Sequence, residues 1–145
     1  MTARHDDWEE RLGEYVSAKV GKSFRWGSTD CGSLVRGAAK AMCKGARNQL
    51  GPVQPYRSRT AAVKSLEHIG APSAHLEASD AVSVPLQFAQ PGDILIMPGD
   101  DEYGLPRLGV ALGAGRLLSS LPGHGVYLGR LNGCPPETIA WRLPA

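Results

Sequence analysis

Beyond Pro85 the sequence is cut into short apolar runs by paired turn residues, while the first 70 residues carry apolar positions at helical spacing. A chain whose periodicity changes from about 3.6 to 2 part-way along can only fold as segregated helices and strands, so it is read as α+β. The runs Asp93–Met97, Leu108–Leu112, Arg116–Ser119, Val126–Leu128 and Thr138–Leu143 are expected to form one antiparallel sheet. Pro91-Gly92, Pro98-Gly99, Gly113-Ala114-Gly115 and Pro122-Gly123 supply the turns.

In the helical half, Asp6 and Asp7 can cap a helix that places Trp8, Leu12, Tyr15, Val16 and Val20 on one face, with Gly21 as its stop. A second helix runs from about Cys31 to Met42, its apolar face made of Leu34, Val35, Ala38, Ala39 and Met42, with Gly37 small enough for a close neighbour. Gly45 to Arg59, with two prolines and two glycines, reads as an extended connection. Thr60 to Ile69 reads as a short third helix, capped by Ser58 or Thr60.

A chain of 145 residues fits one domain, here divided into a helical half of about 1–70 and a sheet half of about 85–145. A domain of this size buries roughly 70% of its unfolded surface and needs neither disulfide nor metal to fold. The three cysteines, Cys31, Cys43 and Cys134, are far apart and form no C-x-x-C pair, so neither a disulfide framework nor a zinc site is expected, and no cofactor. The 16 basic residues are scattered against 14 acidic ones, which does not suggest nucleic-acid binding. The charged N-terminus lacks the apolar stretch of a secretory signal and no run is long enough for a membrane span, so a soluble cytosolic chain is expected. The acidic run Asp100-Asp101-Glu102 is read as a solvated hairpin tip, because its spacing fits no calcium loop.

Cys31 directly follows a capping Asp30 at the start of the second helix and precedes the small residues Gly32 and Ser33. Free amides and the helix dipole favour a thiolate at such a position, and small neighbours leave the sulfur approachable. The plain alternative is a small buried hydrophobe on an amphipathic helix.

The segment Phe24-Arg25-Trp26-Gly27-Ser28-Thr29-Asp30-Cys31-Gly32-Ser33-Leu34-Val35 resembles the nucleophile segment of NlpC-like cell-wall peptidases. Gln90-Pro91-Gly92-Asp93-Ile94-Leu95-Ile96 is similar to the strand that opens their sheet. Leu108-Gly109-Val110-Ala111-Leu112-Gly113 and Gly115-Arg116-Leu117-Leu118-Ser119 are similar to the two strands that follow. The resemblance implies a papain-like NlpC-type domain in which N-terminal helices pack on a curved antiparallel sheet. It makes Cys31 the nucleophile position and lets Trp26, Asp30, Gly32 and Ser33 line a substrate groove; from the residues alone, Trp26 is read rather as cover for the sheet.

The same alignment puts Arg107 at the family's histidine position and Ser119 at the position that orients the histidine. A guanidinium stays charged at neutral pH and cannot act as general base. Of the other histidines, His5, His68 and His75 are read as surface or linker residues, and His124, in the sheet half, is the alternative base.

The Trp8, Arg11 and Leu12 helix, the segment Tyr56-Arg57-Ser58-Arg59-Thr60-Ala61-Ala62, the strand Leu108-Gly109-Val110-Ala111-Leu112-Gly113 and the final Ala140-Trp141-Arg142 resemble a divergent branch of the family carried in bacteriophage and prophage tail-gene clusters. That branch implies a tail component made in the host cytoplasm, incorporated in the virion tail at or near its tip, with other tail proteins as partners. The rival readings are an active cysteine peptidase or amidase that cuts peptidoglycan stem peptides during DNA entry, and a non-catalytic binder of cell-wall peptide.

Overall fold

The computed structural model describes residues 4–45, 58, 60–61, 76–77, 80–99 and 106–144. Helix α1 spans Trp8–Lys19 and α2 spans Cys31–Met42. Six strands follow: β1 (Val82–Pro85), β2 (Ile94–Met97), β3 (Arg107–Ala111), β4 (Arg116–Leu121), β5 (Gly125–Arg130) and β6 (Ile139–Arg142). All pairings are antiparallel, in the order β1-β6-β2-β3-β4-β5, so the last strand inserts between the first two. The α+β expectation therefore holds, and the five expected strands are all present.

β1 is an addition. Four residues ending in proline give little strand signal, yet an edge strand tolerates a residue that cannot donate to the ladder. Most of the expected third helix, the acidic run 100–102, and His68, His75, Arg57 and Arg59 lie outside the described residues. At the start of that helix the Ser58 hydroxyl accepts from the Ala61 amide at 3.1 Å, the capping bond expected of it.

Helix α2 packs on β3 and β4, with Leu34, Val35, Ala38, Ala39 and Met42 buried as its periodicity requires. They meet Leu12 of α1 and Ile94, Leu108, Val110 and Leu118 of the sheet. The opposite face buries Leu95, Ala111, Leu117 and Ala140 beneath Leu86, Leu131 and Cys134, so the sheet is covered on both sides. Val20 departs from expectation: it lies just past the end of α1 and is exposed. Asp7 precedes α1 without a capping bond, because its carboxylate instead takes the Arg11 guanidinium at 2.7 Å. The chain before α1 is tied to the end of α2: the His5 amide donates to the Met42 carbonyl at 2.8 Å and Arg4 bridges Cys43.

The two helices meet at Gly37, where a methyl group would collide with the Tyr15 hydroxyl. That hydroxyl donates to the Leu34 carbonyl at 2.7 Å. Gly→Ala inside a helix ordinarily stabilises by about 1 kcal/mol. Here Gly37→Ala is expected to reverse the sign and destabilise by about 1–3 kcal/mol, because the Tyr15 ring must move and lose its bond; urea melts of the two proteins measure the difference.

Candidate functional site

The loop before α2 is tied to itself before it reaches Cys31. The Thr29 hydroxyl donates to the Ser23 carbonyl at 2.7 Å and accepts from the Arg25 amide at 2.8 Å. The Arg25 carbonyl accepts from the amides of Ser28, Thr29 and Asp30. Gly27 adopts φ +88°, which a side chain would strain, and so turns its amide onto the Asp30 carboxylate at 2.7 Å. The same carboxylate accepts from the Ser33 amide at 3.0 Å and the Ser33 hydroxyl at 2.7 Å. Asp30, almost fully buried, thus caps α2 and fixes Cys31 as its first residue.

On the sheet side, the backbone of Leu108 in β3 reaches the Cys31 thiol. The β3–β4 ladder pairs only Val110 with Leu118 and Ala111 with Leu117, although β3 begins at Arg107 and β4 continues to Leu121. Beyond these two pairs the buried Ser119 hydroxyl still links the strands, donating to the Leu108 carbonyl at 2.7 Å. Its proton is therefore committed to backbone. Ser120, on the same face as Leu118, has a buried hydroxyl without a hydrogen-bond partner.

Four groups act on the Cys31 thiol besides its burial. Burial dominates and, with the negative charge of Asp30, outweighs backbone hydrogen bonds from Leu108 and Gly32 and the positive charge of Arg107, so the thiol is pushed up to about 11. The helix start alone favours a thiolate; cover by the fold reverses that preference. At neutral pH Cys31 is a protonated thiol.

The expected site residues Cys31, Asp30, Gly32, Ser33, Arg107 and Ser119 come together around the α2 start and the first half of β3. Arg107 is half-buried at the head of β3, and its charge reaches both Cys31 and Cys134. Trp26 is half-buried and meets Phe24 edge to face, ring centroids 5.0 Å apart. His124 is exposed on the β4–β5 turn, its amide donating to the Leu121 carbonyl at 3.0 Å. Among the described residues no imidazole acts on the Cys31 thiol. Two participants were not foreseen: Leu108, which acts through its backbone, and Tyr15, whose phenol is pushed up to about 12 by burial and by the Asp30 charge. Neither carries a chemical signature in sequence.

Raised acids fix a direction of pH dependence. Cys31 rises from 9.0 to about 11 and Tyr15 from 10.0 to about 12, so the folded state favours both neutral forms. Their contribution to stability is fully present below pH 9 and is lost as pH climbs through the folded values. Chemical denaturation should therefore show stability falling between pH 9 and 12, with the tyrosinate absorbance of Tyr15 emerging near the upper end.

Residues 3–135 match the family model described as "Domain of unknown function (DUF6950)". Among solved structures, the peptidoglycan hydrolase RipB from Mycobacterium tuberculosis superposes with TM-score 0.56 at 19% identity, covering 96% of this chain. The chain spans only 66% of that protein. The NlpC/p60 domain of the peptidoglycan hydrolase SagA superposes with TM-score 0.52 at 16% identity, covering 91% of this chain and 97% of that domain. RipD from Mycobacterium tuberculosis, a non-catalytic NlpC/p60 domain protein, reaches TM-score 0.45 at 15% identity over 94% of this chain and 98% of its own. No curated protein matches the sequence. The likenesses to RipB and SagA show the NlpC/p60 fold.

Proposed function

The chain belongs to the family described as Domain of unknown function (DUF6950); we propose that it is an NlpC/p60-type domain without hydrolytic activity that serves as a component of a bacteriophage or prophage tail, at or near the tip. One observation carries the loss of hydrolysis: Cys31 is held as a thiol near pKa 11, with the guanidinium of Arg107, not an imidazole, beside it. Thiol hydrolysis of an amide needs a thiolate to attack and a proton donor for the leaving amine. A guanidinium stabilises the first and does not supply the second. The tail assignment is supported by the sequence resemblance of the Trp8–Leu12 helix, the Tyr56–Ala62 segment and the final Ala140-Trp141-Arg142 to tail-cluster proteins. A structural component needs a stable surface and no working dyad. Its partners would be other tail proteins and its site the virion tail after synthesis in the host cytoplasm; among the described residues no helix is long and apolar enough to cross a membrane.

Mass spectrometry of purified virions or prophage tails from the source strain tests this assignment. The chain should be present and should copurify with tail proteins, and its absence from intact tails would refute the role. The peptidoglycan-hydrolase reading is favoured by the Asp30-capped helix start and by the backbone hydrogen bonds directed at the Cys31 sulfur. Incubation with purified peptidoglycan separates the alternatives. We expect no released peptide; release abolished by Cys31→Ala would establish the enzyme, and sedimentation with the wall without release would establish a binder.

A further inference from the structure

Strands β4 and β5 pair in a register that sets Arg116 directly opposite Arg130. Opposite residues of an antiparallel pair share a face, with Cβ atoms about 5 Å apart, and like charges so placed repel. Both side chains are exposed, and among the described residues neither has an ion-pair or side-chain hydrogen-bond partner. The pair is also open to approach: Gly113 and Gly115, before Arg116, and Gly133, after Arg130, have nothing within 4 Å of where a side chain would stand. Leu128 is on the same face of β5, two residues from Arg130, and 41% of it is exposed.

We propose that Arg116, Arg130 and Leu128 form a docking surface for a partner-protein segment that presents a carboxylate beside an apolar side chain. Guanidinium groups accept carboxylates in a two-bond fork, and a carboxylate between these two would relieve their repulsion as well as bond to them. Leu128 supplies the apolar half of the contact. Two cations beside a leucine suit a short acidic and apolar segment better than a nucleic acid, whose binding needs a longer track of cations. This surface lies apart from Cys31 and does not depend on the reading of that site.

The test titrates the full chain with the peptide acetyl-Glu-Leu-Glu-amide, followed by NMR of the arginine Nε–H groups and the leucine methyls. The Arg116 and Arg130 signals and the Leu128 methyls should shift together, saturate and weaken with salt. Arg130→Glu should lose roughly tenfold or more in affinity, while melting no lower than the parent because Glu then faces Arg116. Should Arg130→Glu fail to fold, Arg116→Gln gives the same readout. Absence of shifts, equal response to inorganic phosphate without movement of Leu128, or tighter binding of a short DNA duplex would each overturn the proposal.

Discussion

Replacing Arg142 by alanine is expected to cost the fold about 3–5 kcal/mol, because it strands a fully buried carboxylate. Asp93 is completely inaccessible, and its oxygens receive Arg142 Nε at 3.1 Å, Arg142 Nη2 at 2.9 Å and the Gln90 amide at 2.8 Å. Arg142 Nη2 also donates to the Phe88 carbonyl at 3.1 Å. One fork therefore ties the last strand to the start of β2 and to the turn that covers the outer sheet face. Forming such a pair is nearly neutral overall, since Asp93 loses all its water while Arg142 stays a third exposed, but removing Arg142 leaves the desolvation of Asp93 uncompensated. In Arg142→Ala only the Gln90 amide would remain on Asp93. For a domain of this size the loss corresponds to a fall in Tm of about 10 °C. The double variant Asp93→Ala with Arg142→Ala should cost less than the sum of the single changes, which a double-mutant cycle in urea reads directly. A single-variant cost below about 1 kcal/mol would show that the pair is solvated.

Asp30→Ala comes second, at about 2–4 kcal/mol, combining the loss of a helix cap with the stranding of the Gly27 amide and the Ser33 hydroxyl. The carboxylate joins the loop's turn to the first turn of α2, so its removal also frees the element that holds Cys31. Asp30→Asn separates shape from charge. It retains an oxygen for the Ser33 amide and should cost less, yet it deletes the negative charge that raises both Cys31 and Tyr15. Both groups should then titrate lower than in the parent, as alkaline absorbance and thiol reactivity would show. If Asn and Ala destabilise equally, the hydrogen bonds do not carry the effect assigned to them.

How much of this was legible depended on distance along the chain. Local patterns sufficed for α2, whose burial followed its periodicity, and for strands bounded by Pro-Gly turns. β1 escaped because Val82-Ser83-Val84 alternates over only three residues before Pro85, too short a run to read as a strand. The partnership of Asp93 with Arg142 spans 49 residues and has no spacing rule, so each looked like part of a separate resemblance. At the site, sequence left two readings of Cys31 open, a helix-start thiolate and a small buried hydrophobe. A helix start argues for a lowered pKa, whereas the outcome was decided by burial against β3, a tertiary fact. Likewise Ser119 was read as an orienting group, and only the structure shows its proton committed to the Leu108 carbonyl.

The central claim is that the fold keeps Cys31 as a thiol beside Arg107 and does not ready it for attack. Its most direct test is the rate of Cys31 alkylation by iodoacetamide as a function of pH, with peptide mass mapping to separate it from Cys43 and Cys134. The rate should stay low through neutral pH and rise only above about pH 10, with a midpoint near 11. A plateau already reached below pH 8 would mean a thiolate at neutral pH, and would contradict the account.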